Sequence, residues 1–96
     1  MNSEEVFDKI QEAGIDRVEL AKHVFDRARK RNVDPSELKV KILEGDFESV
    51  RENNQSDPLF DESYRVKIES NGCVVEVPIY FNVPGTKILV KSIWRG

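Results

Sequence analysis

The stretch Tyr64-Arg65-Val66-Lys67-Ile68-Glu69-Ser70-Asn71-Gly72-Cys73-Val74-Val75-Glu76-Val77-Pro78-Ile79 decides the fold. Tyr64, Val66 and Ile68 alternate with Arg65, Lys67 and Glu69, the period-two pattern of a strand buried on one face. Asn71-Gly72 is the preferred two-residue hairpin turn, because both residues tolerate positive φ. Folding the chain about it sets Ile68 opposite Val75, Val66 opposite Val77 and Tyr64 opposite Ile79, with Lys67 opposite Glu76 on the other face. Apolar meets apolar and opposite charges meet, so the register is self-consistent. A second turn, Asn82-Val83-Pro84-Gly85, continues the meander and brings Phe81 to Ile88, Ile79 to Val90, Val77 to Ser92 and Val75 to Trp94. A further short strand is expected from Phe47 to Arg51, and Asn53 to Asp61 reads as a polar loop.

Upstream of the strands the period changes to that of helices. Ser3 is an expected N-cap for a helix over 3–13 that buries Val6, Phe7 and Ile10 and stops at Gly14. Asp16-Arg17-Val18-Glu19 has the form of a capping box, and Val18, Ala21, Phe25 and Ala28 follow at helical spacing, so a second helix is expected to run to about Arg31. Asp34-Pro35-Ser36-Glu37 combines an Asp cap, Pro at the first helical position and Glu at the third. The helix it opens buries Leu38 and Ile42 and ends at Gly45. The expected architecture is one α+β domain over residues 1–96: two or three N-terminal helices packed on one face of a three- to four-stranded antiparallel sheet. Its parts are an extra helix over 3–13, a helical layer over 15–45 and the sheet over 46–95.

The chain has 96 residues, 39% hydrophobic and 34% charged, enough for one modest core. No apolar run approaches the roughly 18 residues of a membrane span, and Met1-Asn2-Ser3-Glu4-Glu5 has no secretory-signal character, so a cytoplasmic protein is expected. One cysteine, Cys73, excludes an intramolecular disulfide and a multi-cysteine zinc site; no metal or cofactor is expected. The net charge of −3 argues against a uniformly basic nucleic-acid binder. The charge is segregated, however. Between Glu44 and Glu62 lie seven acids and one base, a net −6, which leaves 14 bases and 11 acids elsewhere, a net +3. Lys22, Arg27, Arg29, Lys30 and Arg31 then cluster with His23 against Asp26 alone.

His23, Arg27 and Arg31 recur at every fourth position and span about 80° of helical arc, so they share one stripe with Lys30 beside it. An imidazole can move a proton near neutrality, and fixed guanidiniums can stabilise charge building on phosphorus, the two requirements of phosphodiester cleavage. An ordinary solvated helix face explains the same spacing. Tyr64, Ser92 and Trp94 are expected on the helix-packed face of the sheet, where they could complete a substrate-binding cleft; core packing also accounts for Tyr64 and Trp94. Arg65, Lys91 and Arg95 are expected to point away, as are Tyr80, Leu89 and Ile93, which could receive a partner chain.

The run His23-Val24-Phe25-Asp26-Arg27-Ala28-Arg29-Lys30-Arg31-Asn32-Val33-Asp34-Pro35-Ser36-Glu37-Leu38, continued by Ile42-Leu43-Glu44-Gly45, Tyr64-Arg65-Val66-Lys67 and Ile88-Leu89-Val90-Lys91-Ser92-Ile93-Trp94, resembles a family of small prokaryotic proteins. It is a family of domains of unknown function related to RelE-like and BrnT-like toxins, within the barnase/EndoU/colicin/RelE fold assemblage. The resemblance covers roughly residues 18–95. It implies helices on a twisted antiparallel sheet and metal-independent ribonuclease activity by attack of the ribose 2′-hydroxyl on its phosphate. By matching position it makes His23 the acid/base and Arg27 and Arg31 the phosphate contacts. RNA, a protein antitoxin and a second copy of the chain are the partners it suggests. The alternatives are a non-catalytic protein-interaction module on the same fold and a nucleic-acid-binding regulator.

Overall fold

The computed structural model describes residues 2–53 and 62–95. In chain order the elements are α1 (Ser3–Glu12), β1 (Arg17–Leu20), α2 (Lys22–Lys30), α3 (Pro35–Glu44), β2 (Ser49–Glu52), β3 (Glu62–Ser70), β4 (Cys73–Asn82), β5 (Lys87–Val90) and β6 (Trp94–Arg95). The architecture is α+β, with the helices on one face of a mixed, mostly antiparallel sheet. The strand order is β1-β5-β4-β3-β2, with β6 also paired to β4. The sheet is thus larger than the three to four strands expected. Most of the polar loop expected over 53–61 lies outside the described residues.

The hairpin forms as its alternation requires. Ile68 faces Val75, Val66 faces Val77, Tyr64 faces Ile79 and Lys67 faces Glu76. Asn71 and Gly72 carry φ of 54° and 77°, as the tight turn demands. Beyond the second turn Phe81 meets Ile88 and Ile79 meets Val90. Then the expected register fails by one residue. Trp94 pairs with Glu76 and Arg95 with Val75, so the segment between β5 and β6 holds one residue more than a regular strand would. A one-residue slip exchanges the two faces of a sheet. Ile93, expected outside, is fully buried in the core, while Trp94 turns to the face without helices and Arg95 to the helical side.

The second correction concerns residues 16–21. Arg17–Leu20 is a strand, not the first turn of a helix, and it pairs in parallel with β5: Val18 beside Ile88 and Leu20 beside Val90. Four residues with β-branched Val18 in the middle satisfy either period, and the partner strand decides. Asp16 caps no helix; its carboxylate instead accepts from the Thr86 hydroxyl at 3.4 Å. The second helix therefore starts at Lys22 with Ala21 as its N-cap, which offers no side-chain hydrogen bond. It buries Val24 and Ala28, and Phe25 is only half-buried, lying under the Arg29 guanidinium 4.6 Å from its ring centre.

The two other helices follow their local signals closely. Asn2, rather than Ser3, caps α1 by accepting from the Glu5 amide at 3.0 Å. Asp34 accepts from the Ser36 amide at 2.9 Å, with Pro35 opening α3 as expected. One core cluster gathers Val6 and Ile10 of α1, Val24 and Ala28 of α2, Leu38 and Ile42 of α3, and the inward residues of the sheet.

Gly45 ends α3 with φ of 69°, and a Cβ there would sit 2.7 Å from that of Phe7 on α1. The left-handed conformation costs an L-residue roughly 1–2 kcal/mol, and overlap with α1 adds to it. Gly14 has φ of 68° with nothing within 4 Å of the same position. Gly14→Ala should therefore lose about 1 kcal/mol in urea unfolding, the conformational term alone. Gly45→Ala should lose about twice that or more, and equal losses would mean that Phe7 yields freely.

Candidate functional site

The basic stripe is set by the way α2 docks. Val24 and Ala28 bury one side of the helix, which leaves His23 and Arg27 exposed on another. Neither side chain forms a hydrogen bond or ion pair with any described residue. Arg27, Arg29 and Lys30 occupy the last turn, where the partial negative charge of the helix end favours cations. Arg31 is the C-cap and is half-buried, and its Nη1 donates to the Ile93 carbonyl at 3.2 Å. That bond ties the end of α2 to the irregular segment that sets the register of β6.

The slip in that segment completes a cationic groove. Lys30, Arg31 and Arg95 line a shallow cleft of about 400 Å³, floored by Cys73, Val74 and Val75. Three cations from two elements converge there, and no acid among the described residues lines it. Arg95 was expected on the opposite face. The signal for its true position is in the chain: the apolar residues run Ile88, Val90, Ile93, a break in parity that marks one extra residue before the last strand.

The other expected site residues do not join the stripe. Trp94 lies on the far face of the sheet, with the Arg65 guanidinium 5.0 Å from its ring centre. Arg65 also stands 4.0 Å from the buried Glu76, whose carboxylate accepts from Arg51 at 2.7 Å. Glu76 is therefore a satisfied buried charge beneath two arginines. Ser92 is half-buried between β5 and β6, without a hydroxyl partner among the described residues. Of the face expected to receive a partner chain, Ile93 belongs to the core, and Tyr80 is buried beneath the Lys91 ammonium, 5.1 Å from its ring centre.

Tyr64 is in the core at the opposite end of β3, edge-on to Phe81 with ring centres 5.8 Å apart. Its hydroxyl donates to the Glu62 carboxylate, which also binds Lys9 of α1 at 3.1 Å. Burial, with the hydrogen bond to Glu62, pushes the Tyr64 phenol up to about 12. The Tyr64 hydrogen bond, helped by Lys9, holds the Glu62 carboxyl below its usual range despite partial burial. This cluster fastens α1 to the sheet and is remote from α2 in the architecture. Among the described residues no three His, Cys, Asp or Glu side chains gather as metal ligands, and no helix is long and apolar enough to cross a membrane.

What the α2 end offers chemically is a cluster of cations, of which Arg31 is held by the Ile93 carbonyl. His23 stands about 12 Å along the helix from Arg31 and has no described neighbour to orient its ring. Clustered cations suit binding of phosphates; an exposed imidazole serves as a proton acceptor in a reaction only once a ligand orients it.

The Tyr64–Glu62 pair carries a pH signature at both ends of the scale. The Glu62 contribution is present above the ordinary carboxyl value of about 4.3 and is lost as pH falls through its lowered folded value. The Tyr64 contribution is present below about 10 and is lost as pH rises through about 12. Tyr64→Phe should abolish the alkaline loss in urea unfolding and return the Glu62 titration, followed by NMR, toward the usual carboxyl range. An unchanged Glu62 titration would mean that Lys9 alone holds it. No family model matches the chain, and no curated protein or solved structure matches it.

Proposed function

We propose that this domain binds single-stranded RNA along the α2 ridge, with the Lys30–Arg31–Arg95 groove as the anchoring phosphate site. The observation that carries this reading is the convergence of three cations from the end of α2 and from β6 on one cleft lined by no acid among the described residues, in a chain whose net charge is −3. Charge of one sign gathered against the average of the molecule supports recognition of an anion. The stripe continues from the groove through Arg27 to His23, a length that favours an extended polyanion over a single small anion. Val74 and Val75 give the groove an apolar floor on which a sugar or base can rest.

A second reading adds cleavage. His23 is accessible on the same ridge as Arg27 and Arg31, and the resemblance to RelE-like and BrnT-like toxins supports its use as the base that takes the 2′-hydroxyl proton. In that reading the 2′-oxygen attacks the adjacent phosphorus, the 5′-oxygen leaves, and a 2′,3′-cyclic phosphate remains. The arginines would stabilise the charge on phosphorus.

Fluorescence anisotropy with a labelled single-stranded RNA tests both. Binding should weaken steeply with salt, and Lys30→Ala or Arg27→Ala should each reduce the salt slope by about 1. Arg31 is a poorer target, because its bond to Ile93 holds the backbone. RNA returned intact favours the binding function; cyclic-phosphate ends that vanish in His23→Ala establish cleavage. Salt-insensitive binding, or none, would remove the proposal.

A further inference from the structure

We infer that the Lys30–Arg31–Arg95 groove takes a terminal phosphate monoester, so that the α2 ridge holds an RNA strand by its phosphorylated end. This specificity rests on RNA binding by the same ridge and names the phosphate that the groove receives. Cations are spread unevenly along the ridge. The end of α2 and β6 bring Lys30, Arg31 and Arg95 to one cleft of about 400 Å³. Arg27 stands one helical turn back and His23 one turn further, each step about 6 Å along the axis. An internal phosphate of RNA carries one negative charge. A phosphate monoester carries about two near neutrality, because its second pKa is about 6. Three cations around one cleft match the monoester, and single side chains at one-turn intervals match the diesters that follow it.

The groove has donors to spend on such a ligand. Lys30 and Arg95 are exposed, and neither side chain forms a hydrogen bond or ion pair with any described residue. Arg31 donates through Nη1 to the Ile93 carbonyl at 3.2 Å, and a guanidinium has five N–H donors in all. Arg31 is thus held in place with further donors for a phosphate that has several oxygens to receive them. The walls of the groove are also bridged where the ridge ends. One wall is the end of α2 and the other the start of β4. Asn32, the residue after Arg31, accepts through its carbonyl from Nδ2 of Asn71 in the hairpin turn, at 2.8 Å. Past that bond lies the exposed Asp34, the cap of α3. A strand running on through the groove would meet the bridge and then a carboxylate, whereas one that stops there meets neither. In the other direction, toward Arg27 and His23, α2 carries a single acid, Asp26.

The test uses the full chain and internally labelled single-stranded RNA of one sequence, bearing a 5′-phosphate, a 3′-phosphate or hydroxyls at both ends. At least one phosphorylated strand should bind about tenfold tighter than the hydroxyl-ended strand, the gain of a charge-assisted contact. Which strand gains assigns the direction of the RNA along the ridge. Arg95→Ala, checked for folding by circular dichroism, should erase that preference, and Lys30→Ala should reduce it. Arg27→Ala should weaken all the strands alike and leave the preference in place. Nucleoside 5′- and 3′-monophosphates, followed by NMR, separate the end site from the ridge. The matching monophosphate should shift the amides of Lys30, Arg31 and Cys73–Val75, and the unphosphorylated nucleoside should not. Equal affinity for the differently ended RNAs, or a preference that survives Arg95→Ala, overturns the end site and leaves RNA binding standing. A monophosphate that binds in the groove as tightly as any RNA upholds the end site and removes the ridge. Monophosphates that leave those amides unmoved overturn the end site whatever the RNA does.

Discussion

The structure depends on the pairing of β4 with its neighbours. Val75, Val77, Ile79 and Phe81 project from one side of that strand into the core, and they are matched by Ile68, Val66 and Tyr64 on β3 and by Val90 and Ile88 on β5. Each match removes apolar surface from water and fixes the register of a strand at the same time. The helices need only cover the face so produced. They do so with Val6 and Ile10, Val24 and Ala28, and Leu38 and Ile42, pairs spaced one helical turn apart.

What happens at the far end of β4 gives the molecule its chemical character. Pairing that is regular through Val90 becomes irregular over Lys91–Ile93, and one additional residue is accommodated. Its driving force is legible in burial: Ile93 enters the core, where a regular strand would have put Ser92. Burying isoleucine in place of a hydroxyl avoids leaving a donor without a partner. The consequence passes to the next two residues. Trp94 is turned toward Arg65 and Glu76, and Arg95 toward Lys30 and Arg31. The Arg31 bond to the Ile93 carbonyl holds the irregular segment and the helix end together. A packing preference in the core thereby gathers cations on the surface.

The candidate site was legible in part. His23, Arg27 and Arg31 share a ridge because α2 is a helix, and spacing alone reveals that. Their differing surroundings follow from docking: Arg31 is held at the sheet, while His23 and Arg27 stand in solvent. Tyr64 and Trp94 were drawn into the expected cleft because regular pairing was carried to the end of the chain. Tyr64 shares the helical face but lies at the other end of its strand, where Glu62 and Lys9 occupy its hydroxyl. Alternation assigns a face and says nothing of distance along it.

By itself the sequence determined whatever short-range chemistry decides. The Asn71-Gly72 turn and the helical stops at Gly14 and Gly45 rest on positive φ, which few residues reach, the strands about the turn on their alternation, and the α3 start on the Asp34 cap and Pro35. Tertiary structure decided the rest. Arg17–Leu20 is a strand because Lys87–Val90 lies beside it, some seventy residues along the chain, and four residues carry too little periodicity to choose alone. The face taken by Trp94 and Arg95 was settled by the space the core had for Ile93, a quantity that exists only once helices and sheet have met.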